Sequence, residues 1–228
     1  MEVTESAEAP RLPLPAGFVS GNYFDKYHSR NPIHRAMVQR FVNCAKELVA
    51  LAAPRRILEV GCGAGELAGE LLGPAGATEQ GALEYLGTDV SADEIAKARA
   101  RYPGRAFETG SVYELPVADG SYDLVIACEI LEHLEDPGRA LREIERVCNR
   151  HVLFSVPWEP VWRLLNVVRG KYLSRLGDTP GHVQHFSRRA IRGLVASSFE
   201  AVAERHPLPW TVLLARRRVP TTGGERGE

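Results

Sequence analysis

The chain has 228 residues, 44% of them hydrophobic, with 28 basic residues against 29 acidic ones. Those values fit one globular domain with a sizeable core and exclude a low-complexity chain. No apolar run approaches the roughly 18 to 20 residues of a membrane span, and a net charge of −1 gives no global attraction to nucleic acid or to a membrane surface.

Residues 1–20 lack both a basic n-region and an apolar h-region, so they read as a disordered leader and not as a secretion signal. The segment GNYFDKYHSRNP follows, and then Ile33, Met37, Phe41, Ala45, Leu48 and Leu51 form a helical stripe with Asn31 as N-cap and Pro32 in the first turn. Pro54 ends that helix. Strands are expected at Ile57 to Val60, Leu83 to Val90, Ala106 to Thr109, Tyr122 to Cys128 and His151 to Val156. Between them lie a short helix to Leu72, one from Ala92 to Arg101, and one from about Pro137 to Cys148. Short continuous apolar strands alternating with helices predict an α/β fold, a doubly wound and mostly parallel sheet with helices on both faces. Phe199 to Arg205 and Trp210 to Arg217 are joined by only His206 to Pro209, too short for a crossover, so this pair is expected to be antiparallel. The domain is expected to run from 21 to 219, with 220–228 as a disordered tail.

The chemistry concentrates in ILEVGCGAGELA, residues 57–68, where a strand runs into Gly61, Gly63 and Gly65 and then a helix. Glycines let the backbone turn sharply and approach a ligand, and the helix N-terminus offers N–H groups. By itself such a turn also suits a dinucleotide. Glu59, just ahead of the glycines, would repel a pyrophosphate and suits a cationic ligand such as an ammonium or a sulfonium. Asp89 ends the second strand where a carboxylate can accept both hydroxyls of a ribose, with Val90 beside it and Ser91 available to cap the next helix.

The pieces EVGCGAG, GTDVS, GSVYELPVADGSYDLV and LEHLEDPGRALRE, in that order and at those spacings, resemble a class I S-adenosylmethionine-dependent methyltransferase of the Rossmann-like, small-molecule type over roughly residues 55 to 217. The resemblance implies a seven-stranded sheet with an antiparallel last strand. It also implies that Glu59, Gly61, Cys62, Gly63 and Gly65 border the methionine part of S-adenosyl-L-methionine. Asp89 and Val90 would then meet the ribose, and Ser111 and Val112 the adenine. Many relatives carry Asp where this chain has Ser111, so an adenine contact there would come from a hydroxyl or the backbone. Where DNA amino-methyltransferases of this fold carry an Asn-Pro-Pro-Tyr type motif, this chain reads Ala127, Cys128, Glu129, Ile130. A nucleobase amino group is therefore not expected as acceptor. In methyltransferases of this kind an N-terminal helix commonly folds over the cofactor, which makes Tyr23, Phe24 and Tyr27 candidate closing residues, with packing against the sheet as the alternative.

Methyl transfer needs an aligned nucleophile and, for a hydroxyl, a base. Off the carboxyl ends of the strands the candidates are Glu129, Glu132 and His133, then Trp158 and Glu159, then His182 and His185. His182, His185 and His133 are the expected catalytic residues, with Glu129 bordering the cofactor. Glu129-x-x-Glu132-His133 also resembles the metal-binding Glu-x-x-Glu-His of quinone-ring and small-RNA O-methyltransferases. A divalent metal completed by His185 or His182 therefore stays open beside metal-free lining of the site. Residues 155–189 are too long for a plain connection, and Trp162, Leu165, Val168 or Arg169, and Tyr172 fall at helical spacing. A helical lid over about 157–185, with Arg163, Arg169, Lys171 and Arg175 at its rim, is expected; packing on the sheet edge is the alternative.

Cys44, Cys62, Cys128 and Cys148 show no Cys-x-x-Cys spacing and fit reduced thiols in a cytoplasmic protein. Residues 150–219 carry 12 basic against 4 acidic side chains, which leaves −9 on the remainder. The acidic body would face a cationic cofactor and the basic third an anionic small-molecule acceptor. Methylation at oxygen is the expected reaction. The alternatives are an RNA or lipid-linked acceptor, a non-catalytic cofactor-binding scaffold, and a nicotinamide dehydrogenase, the last disfavoured by Glu59.

Overall fold

The computed structural model describes residues 27, 29–73, 83–168, 170, 172, 175–179 and 181–218. The expected leader and tail, Tyr23, Phe24, Arg169 and Lys171 lie outside the described residues. The first helix, α1 (Pro32–Ala52), begins where Asn31 accepts hydrogen bonds from the Ile33 and His34 N–H groups, and ends where Ala53 turns left-handed at φ 45°. There follow β1 (Arg56–Val60), α2 (Glu66–Leu72), β2 (Glu84–Asp89), α3 (Ala92–Arg101), β3 (Ala106–Thr109) and β4 (Tyr122–Cys128). After a single 3₁₀ turn at Leu131–His133 come α4 (Pro137–Val147), β5 (Cys148–Pro157), α5 (Val161–Val168), α6 (Arg188–Val195), β6 (Phe199–Arg205) and β7 (Trp210–Arg217).

The seven strands form one sheet in the order β3-β2-β1-β4-β5-β7-β6, with β7 antiparallel to both β5 and β6. Strand residues alternate between two cores. Leu58, Val60, Val125, Ala127, Val152 and Phe154 pack with α4 and α6, whereas Ile57, Leu124, Ile126 and Leu153 pack with α1. A third, smaller cluster joins Ile95 and Ala98 of α3 to Phe107. The strand order reverses between β1 and β4, so the crevice beyond their carboxyl ends is where a sheet of this kind receives its ligand. Because β7 runs the other way, its first residue, Trp210, pairs with Pro157 at that same edge.

Two boundaries differ from expectation. β5 begins at Cys148, three residues early, since the chain leaves α4 directly into the sheet. The lid helix stops at Val168, with Gly170 at φ 69° and Tyr172 at φ 53° beyond it, so Tyr172 is not part of a continuous helical stripe. Its buried residue is the polar Asn166, and Val168 is 74% exposed.

Candidate active site

Three glycines shape the turn after β1, with Gly61 at φ 71°, Gly63 at 52° and Gly65 at 80°, where a side chain is strained. The N–H groups of Gly61 and Cys62 both donate to the Thr88 carbonyl, at 2.7 and 3.0 Å, which ties the turn to β2. A Cβ on Gly61 would stand 2.2 Å from Ile130 Cγ2, so this turn also touches the one after β4. At Gly63 a Cβ would meet nothing within 4 Å, so a ligand can come against the backbone there. Cys62 is buried, and burial beside Glu59 and Asp89 raises its thiol far above the usual range, which makes it inert.

Asp89 receives the Gly63 N–H on one carboxylate oxygen and the Ser91 N–H on the other, each at 2.9 Å. Ser91 caps α3 through its hydroxyl, so Asp89 is not spent on capping. Partial burial raises its carboxyl against the lowering effect of the N–H groups of Ser91 and Gly63. The Val90 N–H adds a third, weaker bond to the carboxylate. Glu59 is 3% exposed and accepts the Tyr85 hydroxyl at 2.6 Å. Burial, then Glu59, holds both Tyr85 and Tyr27 well above the ordinary phenol range, and Cys128, Glu129 and Glu66 add to the effect on Tyr27. Tyr27 packs against the α1 side of the sheet core, within electrostatic reach of these carboxylates. Val90 is half-buried, while Val112 is buried in the core, and the Ser111 hydroxyl accepts the Tyr113 N–H at 3.1 Å. A buried carboxylate at a glycine turn, an open approach to the backbone at Gly63 and the Asp89 carboxylate beside them could hold the ammonium or sulfonium and the ribose of S-adenosylmethionine.

After β4 the chain turns at Glu129, which takes φ 59°. Both of its carboxylate oxygens are engaged, one by the Ser155 hydroxyl at 2.8 Å and the other by Trp210 Nε1 at 2.6 Å. Glu129 therefore braces β5 and β7 and does not join Glu132 and His133 as a metal ligand. The structure groups a different set: donor atoms of Glu132, His133 and His182 lie within 4.8 Å of one another. His133 Nδ1 meets the Gly181 carbonyl at 2.8 Å, the orienting bond that a ligating or catalytic imidazole needs.

The connection between α5 and α6 brings His182 to the same place. The main chain of the lid bonds back to the Glu132 carbonyl through the Val183 and Gln184 N–H groups, at 2.9 and 3.1 Å. His182 lies edge-on to His133 at 5.0 Å and stacks on Trp162 at 6.2 Å. Burial, followed by His133 and His185, pushes His182 down to about 4, so it is neutral at physiological pH. His185 is separately held, its Nε2 2.7 Å from Asp178 Oδ1. Glu159 is half-buried beside His185, and burial raises its carboxyl. Arg163 and Arg175 stay at the rim, Arg175 fully exposed.

Sequence reasoning missed Tyr85 as the partner of Glu59, although the pairing of β1 with β2 brings them together. It also missed Asp178, which reaches His185 across a connection with no regular secondary structure among its described residues. Thr179 was missed as well. It accepts Trp162 Nε1 at 2.8 Å and Asn166 Nδ2 at 3.1 Å, which fastens the lid to its own helix.

Residues 58–156 match the family model described as a methyltransferase domain. Among curated relatives, an O-methyltransferase, resE, of Aspergillus sclerotiorum is 32% identical over 139 residues, 58% of this chain and 50% of that protein. A ubiquinone biosynthesis O-methyltransferase of Acinetobacter baumannii is 25% identical over 73% of this chain and 71% of that protein. The chain spans half or less of the length of the first curated relatives it matches. Magnesium protoporphyrin IX methyltransferase of Synechocystis PCC 6803, solved with bound SAH, superposes with a TM-score of 0.62 at 20% identity, covering 83% of this chain and 89% of that one. The [4+2]-cyclase SpnF superposes at 0.61 and 18% identity, over 91% of this chain and 88% of that one. Residues 58–156 thus match a methyltransferase domain, and the chain has the Rossmann-like fold of the solved S-adenosylmethionine-dependent methyltransferases on which it superposes. No helix among the described residues is long and apolar enough to cross a membrane.

Proposed function

We propose that this protein transfers a methyl group from S-adenosylmethionine to an oxygen of a small, negatively charged acceptor, in the cytoplasm, where its four free thiols stay reduced. The observation that carries the reading is the juxtaposition across one sheet edge of a carboxylate-lined glycine turn and a histidine cluster. Bound S-adenosylmethionine supplies an electrophilic methyl carbon. The chain contributes Glu59, Gly61, Cys62, Gly63, Gly65, Asp89, Val90, Ser111 and the Val112 backbone to hold it, with Tyr27 closing the mouth and Glu129 bracing the floor. His185, oriented by Asp178 at 2.7 Å, is the proposed base: an imidazole whose N–H is held by a carboxylate takes a proton on its other nitrogen, and the carboxylate stabilises the resulting cation. His182, kept neutral, and His133 orient the acceptor hydroxyl. The lid excludes water around the transfer.

A second reading is favoured by the grouping of Glu132, His133 and His182, whose one carboxylate and two imidazoles suit a divalent transition ion. Such an ion, when bound, polarises the acceptor oxygen.

Calorimetry with S-adenosylmethionine and with NAD tests the central claim: binding of the first alone is expected, and absence of S-adenosylmethionine binding overturns it. His185→Gln is expected to lower turnover about 100-fold with cofactor affinity unchanged. A fully active variant refutes the base assignment. Turnover that survives chelation decides against the metal reading.

A further inference from the structure

We propose that Arg188, laid across the Trp158 ring, is the anion-recognising residue of the acceptor pocket and selects acceptors that carry a carboxylate or a phosphate; this rests on the methyltransferase reading above. Trp158 is the first residue past β5, at the ligand-receiving edge of the sheet. Its main chain is fixed on both sides, the N–H bonded to the Pro209 carbonyl at 2.8 Å and the carbonyl to the Trp162 N–H at 3.0 Å. The Trp158 backbone is therefore tied both to the β6–β7 hairpin and to α5. The Arg188 Cζ lies 3.8 Å from the ring centroid, close enough for the indole face to hold the guanidinium in one plane.

Arg188 combines this aromatic platform with the absence of a counter-charge. Arg192 pairs with Glu204, Arg205 with Glu47 and Arg216 with Glu200. Arg188 has no carboxylate within 4.0 Å among the described residues. Its Nε is buried without a hydrogen-bond partner, while the terminal nitrogens are not among the occluded atoms and form the open end of the fork. His206 stands near Arg188, and the nearby Glu204 is taken up by Arg192 and His206. A guanidinium fixed flat by an aromatic ring, desolvated at its root and short of acceptors, matches the planar two-oxygen edge of a carboxylate or phosphate. The excess of basic residues in the C-terminal third thereby acquires one specific address.

Wild-type protein, Arg188→Met and Arg188→Lys are titrated with benzoate, methyl benzoate and inorganic phosphate while tryptophan fluorescence is followed. Calorimetric binding of S-adenosylhomocysteine to all three proteins reports separately on the parent reading and on folding. Wild type is expected to bind benzoate or phosphate in the millimolar range and to discriminate against the neutral ester. Arg188→Met weakens the anion about tenfold and abolishes that discrimination, and Arg188→Lys keeps part of it. Preference for benzoate over phosphate identifies a carboxylate acceptor, and the reverse a phosphorylated one. Equal anion binding by wild type and Arg188→Met, equal binding of ester and acid by wild type, or no anion binding by wild type overturns the proposal. If S-adenosylhomocysteine itself fails to bind wild type, the parent reading falls instead.

Discussion

At the scale of single residues the glycine turn is defined by what cannot be added to it. Gly61 and Gly63 both hold positive φ, yet only Gly61 has a neighbour, Ile130, where a side chain would go. Gly61→Ala combines a left-handed backbone penalty of roughly 1–2 kcal/mol with overlap against a packed isoleucine. It is expected to lose about 3 kcal/mol of stability in urea unfolding, whereas Gly63→Ala loses about 1 kcal/mol and chiefly weakens cofactor binding. Equal stability losses would mean that contact between the two turns does not matter. The glycines, Glu59 and Asp89 were legible in the sequence because their chemistry depends on residue type and local spacing. Glu129 was not, since its role as a brace is set by Ser155 and Trp210, which reach it only once β4, β5 and β7 are assembled.

At the scale of elements, strands and helices could be read closely from periodicity, whereas the long connections could not. The loop between β3 and β4 illustrates why. Its conformation is dictated by Arg146 of α4, whose guanidinium donates to the Leu115 and Val117 carbonyls, to Glu143 and to Asp119. Glu143 in turn accepts the Leu115 N–H at 2.7 Å. This clamp holds the segment that carries Ser111 and Val112, and no local pattern announces it. Arg146→Met is expected to cost about 2 kcal/mol of stability and to weaken S-adenosylmethionine binding about tenfold, measured by denaturation and calorimetry. The acid limit should shift too. Arg146 holds the Glu143 carboxyl below the usual carboxylate range, so its contribution is complete above the unfolded value and is lost as pH falls through the lower folded one. Without the arginine, burial of Glu143 is offset only by the Leu115 N–H and Arg139, and acid unfolding of the variant begins at a higher pH than that of the parent. An unchanged acid transition would place the stability of this loop elsewhere.

Across the whole molecule the two proposed functions fall on different parts of one sheet edge: the proposed cofactor side is built from β1, β2 and the loops after β3 and β4, and the proposed acceptor side from the segment around α5, taken as a lid, and the β6–β7 hairpin. The sheet is one continuous hydrogen-bonded unit, but the lid is held largely by polar contacts of its own. Asn166, only 2% exposed, donates to the Gly177 carbonyl at 2.9 Å and to Thr179 Oγ1, which also receives Trp162. Apolar burial cannot replace these bonds, because Leu164, Val168 and Leu176 are more than half exposed. Fixation of the lid therefore depends on a few buried hydrogen bonds, each costing about 1–3 kcal/mol when one partner is removed. Asn166→Ala is expected to speed amide hydrogen exchange across residues 161–185 while leaving the protection of β1, β4 and β5 unchanged. Since Gly177 and Thr179, the partners of Asn166, are not assigned to S-adenosylmethionine, cofactor affinity should hold within about twofold while methyl transfer falls about tenfold or more through loss of acceptor alignment. A parallel loss of cofactor affinity and sheet protection would show that lid and sheet form one cooperative unit, and the division between a cofactor side and an acceptor side would have to be abandoned.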